Sequence, residues 1–399
     1  MASVPVMKTL SQSPVDPDFV QNPYPFYDQA REHSDLFYWS EYKMPAAVSH
    51  KAVQTLLKDR RFGREVPVEM QSPGPSHLAP WLAVEAHSLL EAEPPRHTRL
   101  RALVMRAFTS RAIADLEDSI HELSHSLIDQ FPATPFDILG GFCTKVPVVT
   151  ICRLLGVPEE KSPDLLRWSH DMVAMYQASK TRETEDNAST ASQDFTAFLS
   201  SYIEKRRDDP RDDLITRLIE AEEQGDKLSK DELVATCILL LNAGHEATVH
   251  SLGNGIKTVL ELGIHKDAFS PDAIDKTVEE ILRFDPPLHM FTRYAYEDIE
   301  IFDHRFKRGD QVALLLGAAN RDPTVWANPN TFDPTRPIVT NSSFGGGLHF
   351  CVGAPLARLE MRIALSVLFE RCPNLRLSKG PDYSNSYHFH GLSQLMVEV

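Results

Sequence analysis

The chain has 399 residues and a formal net charge of −15, so it lacks the concentrated positive charge that a nucleic acid rewards. Its hydrophobic and charged fractions, 42% and 24%, are those of an ordinary globular protein, long enough to bury a core and enclose a cofactor. The longest apolar run near a helical pattern, LVATCILLL at 233–241, falls far short of the roughly 20 residues a spanning helix needs, so no membrane is expected.

The N-terminal stretch MASVPVMKTLSQSPVDPDF has no apolar h-region, and no signal peptide is expected. The first 45 residues are rich in proline and aromatics and end in strand-like text. Residues 49–60 predict a short helix. The segment VPVEMQSPGPSHLAPW (66–81) has no clear period and reads as a functional loop. From Arg111 to Leu127 the apolar positions Ile113, Leu116, Ile120, Leu123 and Leu127 step by three and four, a helical spacing. Further helices are predicted at about 146–155, 194–207, 213–223, 231–262, 272–284 and 354–371. Strand-like text is confined to about 293–316 and the C-terminal end. Five scattered cysteines without a CxxC pair point to a reduced, cytoplasmic protein. With no repeat, linker tract or composition break, the expectation is a mainly α protein with a small β part (α+β), folded as one domain over residues 1–399.

The helix at 231–262 is the longest, about 45 Å at 1.5 Å per residue. Ser229 followed three residues later by Glu232 predicts a capping box at its start. Its middle, NAGHEATVH (242–250), places Gly244 and the acidic Glu246 inside an apolar run. Glycine costs about 1 kcal/mol in a helix interior, and a central charge costs more unless partnered or wet. Two readings follow: a solvent-facing turn, or a helix opened beside a pocket.

The stretch SFGGGLHFCVGAPLARLEMR (342–361) decides the chemistry. A phosphate loop needs GxxxxGK[ST], and no Lys-Ser or Lys-Thr follows these glycines. A dinucleotide fingerprint needs a third glycine where Phe350 stands. A zinc site has only His349 and Cys351, with no second pair at ligand spacing. Core packing explains a buried cysteine but not the three glycines before it. A haem accounts for each part. One thiolate is a known axial ligand, glycines let backbone approach a flat macrocycle, and helix N–H groups should lower the thiol pKa from about 8.5. His349 can donate to a carboxylate on the cofactor rim.

FGGGLHFCVG (344–353) matches every fixed position of FGxGxHxCxG, and the chain resembles the cytochrome P450 family over essentially its whole length, as a soluble bacterial-type member. The resemblance implies that Cys351 ligates the iron of haem b (iron protoporphyrin IX), with Phe344, Gly345, His349 and Gly353 shaping the loop. PPRHTRLR (94–101) resembles the segment whose His97 and Arg101 hold haem propionates, and FTRYA (291–295) places a third such group at Arg293. EILR (280–283) and FDPTRP (332–337) supply Glu280, Arg283 and Arg336, a structural charge network. Both propionates are anionic, and the rigid fork of arginine suits a carboxylate; His97 and Arg101, four apart, share one helix face.

AGHEAT (243–248) resembles the family's oxygen-activating helix, with Glu246 as the acid. The family usually has threonine next, whereas here Ala247 intervenes and Thr248 comes one place later. Successive helical residues point about 100° apart, so Thr248 is not a simple substitute, and proton delivery is expected to use ordered water or a hydroxyl of the substrate. The resemblance implies a monooxygenase that inserts one atom of O2 into a C–H bond of a medium-sized hydrophobic, already oxygenated molecule. Alternatives are a haem-thiolate peroxygenase or isomerase, and a non-catalytic haem sensor. Electrons are expected from a separate ferredoxin and ferredoxin reductase, docking a monomer at Arg96, Arg99, Arg106, Arg358 and Arg362. The pocket is expected to draw on 66–90, 239–247, 288–291 and 390–395, with Met70, Trp81, Leu240, Leu288, Met290, Phe291 and Leu392 as its apolar lining.

Overall fold

The computed structural model describes residues 7–177, 180–223, 225–264 and 268–399. Residues 1–6, on which the reading of the N-terminus partly rests, lie outside the described residues. The long helix runs from Lys230 to Leu262. Its capping box closes reciprocally: the Glu232 N–H donates to Ser229 Oγ at 3.2 Å, and the Ser229 N–H donates to Glu232 Oε2 at 2.9 Å. Gly263 ends it in the left-handed region at φ 66°. Helices Ala79–His87, Lys145–Leu155, Ser162–Val173, Arg182–Asp208, Ile274–Phe284 and Ala354–Arg371 pack around it. The helix is continuous through Gly244, so it forms neither a solvent-facing turn nor an opened helix there, although Gly244 and Glu246 do line a cavity as the second reading expected. A Cβ at Gly244 would stand 3.3 Å from the Ile151 side chain. The glycine's use here is to lack a side chain where two helices cross.

Five predicted helices sit where the periodicity put them, at His50–Lys58, Lys145–Leu155, Lys230–Leu262, Ile274–Phe284 and Ala354–Arg371. The predicted run from Arg111 breaks into Ser110–Ala114 and Glu117–Ile128, with a tightened corner where the Leu116 N–H donates to the Ile113 carbonyl at 3.1 Å. The segment at 66–81 holds two short 3₁₀ turns before a helix starts at Ala79. Helices Pro17–Gln21, Tyr24–Arg31, Ala79–His87 and Ser162–Val173 were missed, and they share one feature with the predicted helix Ala354–Arg371. Each carries proline in its first two positions, where the missing N–H is no loss, although the residue reads as a breaker elsewhere.

Strands are not confined to the C-terminal half. A six-stranded sheet joins Thr9–Leu10, Leu36–Trp39, Met44–Ala47, Gln311–Leu315, Met290–Ala295 and Phe62–Gly63 in that order. Met44–Ala47 pairs in parallel with Gln311–Leu315, and Leu36↔Ala47 begins an antiparallel register. An aromatic cluster of Phe19, Phe26, Tyr27, Phe37 and Trp39 fills one side of the sheet. The fold is therefore mainly helical with small sheets, as expected. Among the described residues, no helix is long and apolar enough to cross a membrane.

The segment leading to Cys351 is anchored by buried charge. Glu280 takes two parallel hydrogen bonds of 2.7 Å from Arg283, a third of 3.2 Å from Arg336 Nε, and one of 2.8 Å from the Asp333 N–H. Arg283 also donates to the Asn320, Pro329 and Thr331 carbonyls. Both charges are buried and multiply satisfied, the arrangement in which removing one partner leaves an expensive orphan.

Candidate functional site

Between Ser342 and Gly353 the chain turns back on itself, and the Cys351 N–H donates to the Phe344 carbonyl at 3.1 Å. Two of its glycines are obligatory. Gly345 and Gly347 have φ of 69° and 63°, and a Cβ at Gly347 would lie 2.4 Å from the Leu57 carbonyl oxygen. Gly353 caps the helix Ala354–Arg371, and the N–H groups of Gly353 and Ala354 point at the Cys351 sulfur. The thiol pKa nonetheless ends above its usual value, because burial outweighs those N–H groups and the charges of Arg101 and Arg358. The expected lowering is thus corrected: the loop alone does not make a thiolate, and coordination to a metal would be what deprotonates it.

The sulfur opens into a cavity of about 350 Å³ roofed by the long helix. Leu239, Leu240, Ala243 and Ala247 on that helix face Val84, Leu288 and Phe389 across it. Ser88–Leu90 and Phe291 contribute as expected. Four predicted lining residues do not. Met70 is exposed and lies against Gly309, Met290 turns from its strand into the aromatic cluster on the sheet, Leu392 is in the main helical core, and Trp81 packs beside the helix Arg182–Asp208. His388 and Phe389 close the cavity instead of 390–395.

One edge of the cavity is cationic. Arg101 donates to the Phe350 carbonyl at 2.8 Å. Arg293 does not itself line the cavity but lies behind its Phe291 wall, the guanidinium 5.8 Å from that ring; it is 2% exposed, donates to the Thr292 carbonyl at 2.8 Å, and among the described residues has no carboxylate within 4 Å. Burial, then the nearby Arg64 charge, lowers its pKa to about 10. His97 is buried, its Nδ1 finds no hydrogen-bond partner, and burial together with His349 and Arg101 lowers its pKa to about 4. His349 departs from expectation: its Nε2 is 2.8 Å from Glu93 Oε1, so its donor is committed to a protein carboxylate. Two further residues were missed. Arg64 lines the cavity and pairs with Glu91 at 2.5 Å, while its N–H donates to Glu93. Glu360, behind Cys351, is buried with both oxygens unpartnered, and burial pushes its carboxyl well above the usual range. Neither follows a local sequence signal.

On the distal side, Glu246, Ala247 and Thr248 all line the cavity, and Thr248 is buried. Glu246 sits among imidazoles, with His170 Nε2 at 3.0 Å and His245 and His250 Nε2 each at 3.6 Å. Burial works upward on its carboxyl, but His170 and His245 outweigh it and hold the group well below the ordinary carboxylate range. His170 lies 76 positions away, and nothing in the local pattern announced it.

A glycine-bound loop presenting one sulfur, a largely apolar cavity edged by His97 and Arg101, and a buried guanidinium behind its wall with no carboxylate of its own fit an iron porphyrin with anionic substituents. The family model described as cytochrome P450 matches residues 30–261 and 272–393. The chain belongs to the cytochrome P450 family. As a member it binds haem b and is a monooxygenase. It is 34% identical to the biotin biosynthesis cytochrome P450 of Bacillus subtilis over 98% of this chain and 99% of that one. It is 36% identical to the vitamin D(3) 25-hydroxylase of Pseudonocardia autotrophica, over 96% and 94%. Among solved structures it superposes with TM-score 0.89 and 34% identity on P450BioI in complex with an acyl carrier protein bearing hexadec-9Z-enoic acid, covering 96% of this chain and 99% of that one.

The arginines expected to greet an electron donor are not free charges in this P450. Arg99 pairs with Glu232 and Asp226, Arg96 with Glu65, Arg358 with Glu279 and Arg362 with Glu117. Acidic neighbours from distant parts of the chain partly neutralise that face.

Proposed function

We propose that this P450 hydroxylates a medium-sized, largely apolar small molecule that already carries an oxygen function, taking electrons from a separate ferredoxin and its reductase, as a cytoplasmic monomer acting as one domain. The observation that carries the reading is the apolar cavity over Cys351, whose polar distal wall has a carboxylate but an alanine where an alcohol is usual. One relative is a vitamin D(3) 25-hydroxylase and one solved neighbour holds an acyl carrier protein bearing hexadec-9Z-enoic acid, which supports that reading.

Haem, when bound, supplies oxygen activation and C–H cleavage. The chain's own residues do the rest. Cys351 would hold the iron as its thiolate, in the loop kept open by Gly345 and Gly353 and backed by Phe344. His97, Arg101 and Arg293 would neutralise the propionates, and His349 positions Glu93 against the same edge. The apolar lining excludes bulk water. Glu246, ionised at neutral pH, accepts protons entering from the surface past His170 and passes them to water in the cavity. Ala247 leaves space in which a hydroxyl of the substrate orders that water, and Thr248 bounds the groove behind it.

The test is a spectral titration of the purified protein with paired compounds that differ by one hydroxyl. Both members of a pair should displace water from the iron and shift the Soret band, while only the hydroxylated one should turn over with product matching electrons consumed. A panel of apolar compounds that produces no shift overturns the proposal. The alanine also favours a second reading, peroxide-driven turnover without an electron donor. Product formed with peroxide but not with ferredoxin and reductase would establish it.

A further inference from the structure

We propose that His170, His245, His250 and Glu246 form a second metal site, for a divalent ion of the zinc type, apart from the haem. His245 carries the argument. Its Nδ1 is 2.8 Å from the Leu241 carbonyl oxygen. A carbonyl only accepts, so Nδ1 bears the proton and Nε2 of the neutral ring is a bare lone pair. The side chain is 4% exposed, and this Nε2 has no hydrogen-bond partner. It faces Glu246 Oε1 at 3.6 Å, another acceptor. With that ring neutral, two lone pairs face one another inside the protein, which is costly unless a second proton or a metal ion lies between them.

The surrounding geometry suits such a cation. His170 Nε2 is 3.0 Å from the same carboxylate oxygen and His250 Nε2 is 3.6 Å from the other. The donor atoms of His170, His245 and Glu246 all lie within 4.8 Å of one another. Two ligands of one tetrahedral ion, each about 2.05 Å from it, stand roughly 3.3 Å apart, so small side-chain shifts close the site. The His245 Nδ1–H bond to a main-chain carbonyl is the outer contact that metal-binding histidines usually make. Imidazole with one carboxylate selects zinc, nickel or copper over calcium or magnesium.

Access comes from a second cavity of about 220 Å³, lined by His170, Gln177, Glu246, His250 and Ser386. The His170 side chain is 54% exposed at its mouth. An ion held there ties the helix Ser162–Val173 to the long helix and occupies the carboxylate facing the haem cavity. Binding does not depend on the proposed role of Glu246, but inhibition does. The rival account is a second proton on His245, and it predicts no metal binding.

The experiment is isothermal titration of zinc chloride into untagged, chelator-treated, haem-loaded protein, alongside the exposed-site variant His170→Ala and the variant His250→Ala. The expected result is one saturable site in the wild type. In His170→Ala its affinity should fall by at least the roughly 10–100-fold that loss of a mere outer contact costs. No saturable binding, or equal affinity in both variants and the wild type, overturns the site. Binding lost in His170→Ala without any zinc effect on wild-type turnover establishes the site and instead refutes the proton role given to Glu246.

Discussion

Two places in this molecule use the same ingredients, a carboxylate among histidines, and come to opposite ends. Around Asp285 the carboxylate oxygens are filled from within, although the buried His289 Nε2, 3.9 Å from Oδ1, has no hydrogen-bond partner. Tyr24 donates to Oδ1 at 2.9 Å, Tyr383 donates to Oδ2, and His390 Nδ1 is 3.1 Å from Oδ1 while its Nε2 meets the Val20 carbonyl at 3.1 Å. The cluster is buried and ties the N-terminal segment to the C-terminal loop. Around Glu246 the imidazoles approach without filling one another's valences, and a cavity leads to the surface. A buried charge with complete hydrogen bonding is a fastening, whereas one left incomplete beside a solvent path is available for chemistry or a ligand.

The sharpest way to break the comparison is Asp285→Ala, which should cost about 3–5 kcal/mol in denaturant unfolding, since it strands buried partners. Acid should imitate it. The Asp285 carboxyl is held well below its usual range: burial opposes this, and His390, His289 and Arg321 outweigh it. Its stabilisation is present above the unfolded value of about 3.9 and is lost as pH falls through the folded one. His289, which burial keeps far below its usual pKa, adds a loss of the same sign as pH drops below about 6.5. Unfolding midpoints measured from pH 7 to pH 3 should therefore fall in the wild type, and less steeply in Asp285→Asn.

Glu246→Gln should behave the other way, lowering product formation about 10²-fold while costing clearly less stability than Asp285→Ala. An equal loss of stability would make Glu246 a fastening too. His170→Ala should shift stability by only a few tenths of a kcal/mol, because its ion pair is more than half open to solvent on the histidine side. The smallest effect is expected from Ala247→Thr, which should barely alter the ratio of product to electrons consumed with the native substrate. A large rise in that ratio would show that the substrate does not stand in for the alcohol.

The cysteine loop was legible because its constraints are local. Gly345 and Gly347 must adopt positive φ within a few residues of Cys351, and residue order displays that directly. The same holds for Ser229 with Glu232, and for Glu280 with Arg283, partners one helical turn apart. Four helices that open on proline were not read from the sequence, because proline's meaning depends on whether it stands in the first turn or later.

Residue order displayed a glycine-rich cysteine loop and a long helix with an acidic centre, whose spacings are local, while the helix's place over the ligand and the flanking cationic groups were expected from the family resemblance. Which arginines keep free charge, which side chains reach the cavity, and that Glu246 gathers three imidazoles were settled by packing. Those outcomes join residues tens to hundreds of positions apart, such as His170 with Glu246, Arg64 with Glu91 and Arg358 with Glu279. Coulomb and hydrogen-bond energies depend on distance through space, and burial then decides how strongly each is felt. Even the acidity of Cys351 turned on how much water the surrounding helices remove.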